Sequence, residues 1–329
     1  MNTITLTDNL EKITSIDLGT SSPRLSGTIN LVDIPNLVSL SGVGNDIEEL
    51  LFSSKGFENL IMHDNKLSGL ANKYIPLDAI TISLDDNRLT SISSLSSYPN
   101  LQILKLAKNK LTGPFPSLNN NTALEDIRIN GNSLTGPLPS LNNNTALSIF
   151  KLGSNSMSGS LPSLTANTEL ITFEGFSNSF TGYIPDLSFN TKLKGFFISG
   201  NSMSGPLSSL DNNTALVNYV VSENDFTGPI PSLDNNTAIV KLEVKNNDLT
   251  TFEGSTMPVS LLTFKANNNS LTEGAVNAIL AATVAGGGIN GTLYLGGNTD
   301  PLRTNAAPTG QGITDKATLI ASGWDVQTN

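Results

Sequence analysis

Lys105, Arg128 and Lys151 stand at successive intervals of 23 residues, in a 329-residue chain whose net charge is −10. Cations at a fixed interval suit an anionic ligand. Each keeps its charge at neutral pH, and a guanidinium can hold a carboxylate or phosphate through two parallel bonds. Glu174, Phe176 and Phe197 follow directly. Aromatic rings offer a surface on which the apolar face of a ligand, a sugar ring among them, can pack. These six residues form the candidate ligand-binding set. Three like charges at strand spacing repel one another, a poor choice for stability alone. The competing reading is a solvated sheet face on which lysines deter edge pairing.

Other chemistry finds little support in the residues. The chain has no cysteine, which removes disulfides, thiolate zinc sites and cysteine nucleophiles. A lone histidine, His63, makes a His-based metal site improbable, and beside Asp64 it has no serine or cysteine set to complete a triad. Asp85-Asp86 lacks a loop of calcium-ligand spacing around it. The triple glycine at 286–288 follows a predicted helix instead of opening one, so it is no phosphate loop. The expectation is a non-enzyme with no cofactor and no metal. The acidic balance argues against nucleic acid, and no apolar run is long enough to span a membrane.

The interval itself identifies the elements that must position the six residues. "LTGPFPSLNNNTAL" at 111–124 returns as "LTGPLPSLNNNTAL" at 134–147, one residue changed. Around it runs the frame L-x-x-L-x-L-x-x-N-x-L, as in "LQILKLAKNKL" from Leu101 to Leu111. Its asparagine slot holds Asn45, Asn65, Asn87, Asn109, Asn132, Asn155, Asn178, Asn201, Asn224, Asn247, Asn269 and Asn298, with Ser21 in a worn first copy. The L-x-L portion predicts a short strand whose alternate side chains point into a coil. One coil cannot bury that face alone; stacked coils build a shared parallel sheet. An inward asparagine has donor and acceptor for the backbone groups that the following turn leaves unmet, so the slot reads as a structural ladder.

After each asparagine, glycines from Gly113 to Gly228 sit at one turn and prolines hold the next stretch extended. Asn-Thr pairs from Asn121-Thr122 to Asn236-Thr237 lead back to each new strand, where Asx and hydroxyl side chains are expected to bond local backbone. "NNT" at 120, 143, 212 and 235 also matches the glycosylation sequon, though a turn role suffices. The residue between the inner leucines of each strand, Lys105 and Phe197 among them, is expected on the open sheet face.

The L-x-x-L-x-L-x-x-N-x-L-T-G-x-I-P pattern, seen in "FTGYIP" and "FTGPIP", resembles the plant-type leucine-rich repeat over roughly residues 10 to 300. The resemblance implies a right-handed, mostly β solenoid of horseshoe or arc form. It places a parallel sheet on the concave face, a second short strand or extended turn beside it, and partner binding on the concave residues. Plant receptors of this type carry cysteine-paired caps and a signal peptide. This chain has neither cysteines nor a basic and apolar leader in "MNTITLTDNL", which alternates like a strand.

Residues 1–24 read as an N-terminal cap strand with a degenerate first repeat, 25–272 as repeats of period 20 to 24, and 273–329 as a C-terminal cap with the last repeat strand. Val276, Ile279, Leu280 and Val284 predict one helix; Thr314 is expected to cap a second. Trp324, the only tryptophan, is expected to plug the final coil. The ending, with its Gly-Trp and short Thr-Asn strand, is similar to endings of leucine-rich-repeat proteins of bacteriophage virions. That resemblance implies a receptor-binding, fibre or decoration protein exposed on the virion surface. Its partners would be other virion proteins and a protein or surface glycan of a host cell. A secreted or cell-surface bacterial adhesion protein and a structural virion spacer without ligand are the alternatives.

Overall fold

The computed structural model describes residues 10–19, 22–52, 58–69, 78–92, 94–296 and 302–329. The expected strand at the start of the chain, the Ser21 slot and the Asn298 slot lie outside the described residues. The chain divides into two compact units, Met1–Met157 and Ser158–Asn329. Each is a parallel β-solenoid of the leucine-rich-repeat kind.

One three-residue strand recurs per coil, and its middle side chain points inward because side chains alternate along a strand. In the first unit Leu104, Ile127 and Phe150 occupy that position in the strands Ile103–Lys105, Asp126–Arg128 and Ile149–Lys151, paired in register. In the second, Phe173, Phe196, Tyr219, Leu242, Phe264, Leu293 and Val326 do so in seven strands from Thr172–Glu174 to Asp325–Gln327. All but Val326 of these inward residues are essentially inaccessible to solvent. The rings of Phe173 and Phe196 stack at 5.5 Å, and those of Phe196 and Tyr219 at 5.8 Å.

A second parallel sheet follows the asparagine turns. In the second unit its strands are Ser179–Gly182, Ser202–Pro206, Asp225–Ile230 and Asp248–Phe252. Here neighbours such as Ser204 and Asp225 are 21 residues apart, whereas the first sheet pairs residues 23 apart, as in Phe196 and Tyr219. Equivalent residues therefore step sideways by two positions per coil.

The slot asparagines face inward and bind three coil segments at once. Asn201 Nδ2 donates to Gly175 O at 3.1 Å and Ile198 O at 2.9 Å, while its Oδ1 accepts from Phe180 N at 2.9 Å. Asn45, Asn65, Asn87, Asn109, Asn132, Asn155, Asn224, Asn247 and Asn269 repeat the scheme. Asn178 Nδ2 donates to Gly175 O and Phe176 O. The residue before the slot is left-handed even when it is not glycine, with φ between 51° and 59° at Asp64, Lys108, Ser154 and Glu223 among others. The chain must turn sharply there to aim the amide inward.

In the last coil this geometry belongs to Asn305. It donates to Ala266 O and Leu295 O, both at 2.8 Å, and accepts from Leu271 N at 3.0 Å. The nine residues between Leu295 and Asn305 hide it from any fixed spacing.

A correction concerns the Asn-Thr pairs. Asn121, Asn144, Asn167, Asn190, Asn213 and Asn236 are completely buried. Their side chains do not close local turns. Asn213 Nδ2 donates to Leu187 O and Asn190 O of the preceding coil, each at 3.0 Å, and Asn121, Asn144, Asn190 and Asn236 act likewise. The turn itself is closed by backbone, as in Leu216 N to Asn213 O. An inward amide bonds across coils because the preceding coil's carbonyls are the acceptors that water cannot reach. The preceding sequon residues Asn120, Asn143, Asn212 and Asn235 are exposed.

The C-terminal region carries helices α1 (Glu273–Gly286) and α2 (Gln311–Ala321). Thr272 caps α1 by accepting from Ala275 N. Thr314 caps nothing: α2 starts earlier, after Gly310, so Thr314 lies inside it. Trp324 is 4% exposed, donates from Nε1 to Gly288 O at 2.8 Å, and lies against Gly291.

Tyr219 takes a position that is phenylalanine in the two preceding coils, and its hydroxyl has no hydrogen-bond partner in the core. Burial pushes this phenol far above its ordinary range. Tyr219→Phe removes the orphaned hydroxyl while keeping the stacked ring, and should stabilise the protein by about 1 kcal/mol. Urea denaturation monitored by circular dichroism checks it.

Candidate functional site

The open face of the three-residue strands is built from the side chains flanking each inward residue. In the first unit, Lys105, Arg128 and Lys151 are in register on three consecutive strands. The sequence reading missed Asp126, two positions before Arg128 on the same face. Its carboxylate takes both Nε and an Nη of Arg128 at 3.0 Å and lies 3.7 Å from Lys105 Nζ. The ladder is thus partly neutralised from within, which relieves the like-charge repulsion. Two coils upstream of Arg128, Asp85 accepts from Ala107 N at 2.6 Å; burial raises its carboxyl above the usual range. Among the described residues His63 makes no side-chain hydrogen bond to a carboxylate, and no group of three or more His, Asp or Glu could hold a metal ion. No helix there is long and apolar enough to cross a membrane.

In the second unit the open face carries Glu174, Phe197, Val220, Glu243 and Lys265 in one register column. Two residues further along each chain lie Phe176, Ser199 and Ser222. The structure brings Phe176 and Phe197 together: with Val220, Ser199, Ser177 and Glu223 they line a pocket of about 190 Å³. Gly195 lies under the Phe197 ring. A Cβ built there would sit 2.6 Å from Phe197 Cε2, so the ring lies across the glycine. Any larger residue at 195 would lift the ring off the sheet.

The polar rim is unevenly satisfied. Glu223 pairs with Lys245 at 3.4 Å, and Glu243 is held between Lys265 at 3.2 Å and Lys241 at 3.8 Å. The hydroxyls of Ser199 and Ser222 have no partner, although Ser222 is only 2% exposed. A buried hydroxyl without a bond costs about 1–3 kcal/mol. Gly195, Ser199, Ser222 and Glu223 were not singled out in the sequence. The signal for Ser199 and Ser222 is the second outward position of each coil, two residues after Phe197 and Val220. The arrangement offers apolar contact and hydrogen bonds, with no nucleophile–base pair.

No protein-family model matches the chain, and none of the curated proteins is significantly similar to it. Solved structures are. The Arabidopsis receptor kinase HAESA, in complex with the peptide hormone IDA and the co-receptor SERK1, superposes with a TM-score of 0.66 at 22% identity, over 84% of this chain and 52% of the receptor. The plant peptide hormone receptor RGFR1, in complex with RGF2, gives 0.62 at 20% identity, over 93% and 57%. The Leptospira interrogans leucine-rich-repeat protein LIC12759 gives 0.59 at 18% identity, over 98% and 85%. The chain spans about half the length of the plant ectodomains. These likenesses show the leucine-rich-repeat fold.

Proposed function

We propose that this protein is a non-enzymatic recognition module whose second unit binds an extended segment of a protein partner on the open sheet face. The observation that carries this reading is the pocket lined by Phe176, Phe197, Val220 and Ser199, with the Ser199 hydroxyl unpartnered. A partner would seat an apolar side chain between the two rings, and its backbone would meet Ser199 and Glu223. The peptide hormones bound by the similar plant ectodomains support this type of ligand. Lys105, Arg128 and Lys151 add positive potential to the first unit and favour an acidic partner.

Selecting a random peptide library on the immobilised full chain tests the proposal. Peptides enriched on the wild type should carry an apolar anchor. They should bind Phe197→Ala about 30-fold more weakly, the loss expected of an aromatic hot spot. Binders indifferent to Phe197 would sink the reading.

The setting we propose is the surface of a bacteriophage virion, where this face would meet a host-cell surface protein or glycan. It rests on the Gly-Trp and Thr-Asn ending and the cysteine-free repeats. Mass spectrometry of purified particles checks it, and absence of the protein from them removes it.

A further inference from the structure

The outward face of the second sheet carries one aromatic side chain where other coils have none. Tyr183 occupies a slot that is Pro114, Pro137, Ser160, Pro206 or Pro229 elsewhere. It is 68% exposed, yet it is held in place. The ring lies on the backbone of the next coil, where a Cβ added to Gly205 would collide with Tyr183 Cδ1 and Cε1. Gly205 has φ of +77°, so glycine is required there by conformation as well as by the ring. One face of the ring is therefore seated and the other is open to solvent.

Hydroxyls surround this tile. Thr181 pairs laterally with Ser202 and Gly182 with Met203; Tyr183 follows directly on one side and Ser204 on the other. Ser204 in turn is opposite Asp225. None of the hydroxyls of Thr181, Tyr183, Ser202 and Ser204 is used in a hydrogen bond among the described residues, and Thr181 and Ser202 are exposed. Two strand spacings from Tyr183, on the order of 10 Å, Asp225 meets Arg303 at 2.9 Å. Arg303 also reaches Asp248 at 3.0 Å and Asn224 O at 3.3 Å. The carboxylate of Asp225 stays 56% exposed.

From this placement we infer that the Tyr183 face is a carbohydrate-binding site, separate from the sheet-face pocket, for a neutral oligosaccharide of at least two pyranose rings. A pyranose has an apolar face of C–H groups that packs on an aromatic ring, and an equatorial rim of hydroxyls that both donate and accept. The fixed ring of Tyr183 meets the first requirement. The free hydroxyls of Thr181, Ser202 and Ser204 meet the second, and Asp225 with Arg303 lies at the reach of a second sugar ring. A charged ligand is disfavoured because Arg303 already has two carboxylates. The unspent hydroxyls and the seated ring coincide, and fold stability needs neither.

The test is an array of neutral glucan, mannan and galactan oligosaccharides probed with the full chain, followed by saturation-transfer NMR on whichever sugars bind. The expected result is binding by at least one of these sugars that weakens about tenfold or more in Tyr183→Ala. It should persist in Tyr183→Phe and in Phe197→Ala, whose loss concerns the other face. Because Tyr183 is exposed, Tyr183→Ala should keep the wild-type circular dichroism. The inference is overturned if no oligosaccharide binds the wild type, if Tyr183→Ala binds as well as the wild type, or if only peptides engage Tyr183.

Discussion

Replacing Asn224 by leucine should destabilise the protein by about 3 kcal/mol, because Met203 N–H loses the Asn224 Oδ1 acceptor inside the core. The carbonyls suffer less. Ile198 O accepts from Asn224 at 3.0 Å and also from Asn201 at 2.9 Å, so one lost rung leaves it half-satisfied. That sharing makes a sharper prediction. The double variant Asn201→Leu/Asn224→Leu should cost about 1 kcal/mol more than the sum of the singles, since Ile198 O then loses both side-chain donors. Denaturant titration of the four chains closes the cycle. Strict additivity would mean that the amides act as independent caps and not as one shared ladder. The exposed Asn120, altered to alanine, should change stability by no more than about 0.5 kcal/mol.

Phe196→Ala should cost about 3–5 kcal/mol, the range for emptying a fully buried aromatic site. Its ring is the middle member of a stack between Phe173 and Tyr219, so both neighbours lose a packing partner and the gap cannot close by movement of one side. Since each coil leans only on those beside it, amide exchange should accelerate first around residues 173, 196 and 219. The next residue in the chain provides the contrast. Phe197 points to the open face, and Phe197→Ala should cost less than about 1 kcal/mol while removing the proposed ligand anchor. Equal stability losses at 196 and 197 would contradict the two-residue alternation on which the site is drawn.

The solenoid was legible because its rules are local and repeated. Leucine spacing, the asparagine slot and the glycine-proline turn each appear often enough that no single copy has to be trusted. Phe176 and Phe197 could be placed on the open face for the same reason, since the frame tells inward from outward. What failed were readings that depended on a neighbour in space. Asp126 lies two residues from Arg128, yet only register showed it within reach of Lys105 as well. Asn121 and its equivalents look like local turn formers until the adjacent coil supplies their acceptors. Asn305 breaks the spacing altogether; only its bonds to Ala266 and Leu295 identify it as the last rung.

By itself, then, the order of residues determined the coil, its period and the face on which each side chain emerges, because these follow from strand alternation and from the need to satisfy buried backbone. Tertiary structure alone decided what meets what between coils: the Tyr183 ring seated on Gly205, the Asn213 amide bonded to Leu187 and Asn190, and the serine hydroxyls left without partners. Periodicity constrains where a side chain points. How a ring lies and which polar groups stay unspent depend on the residues one coil away, and no local pattern records them.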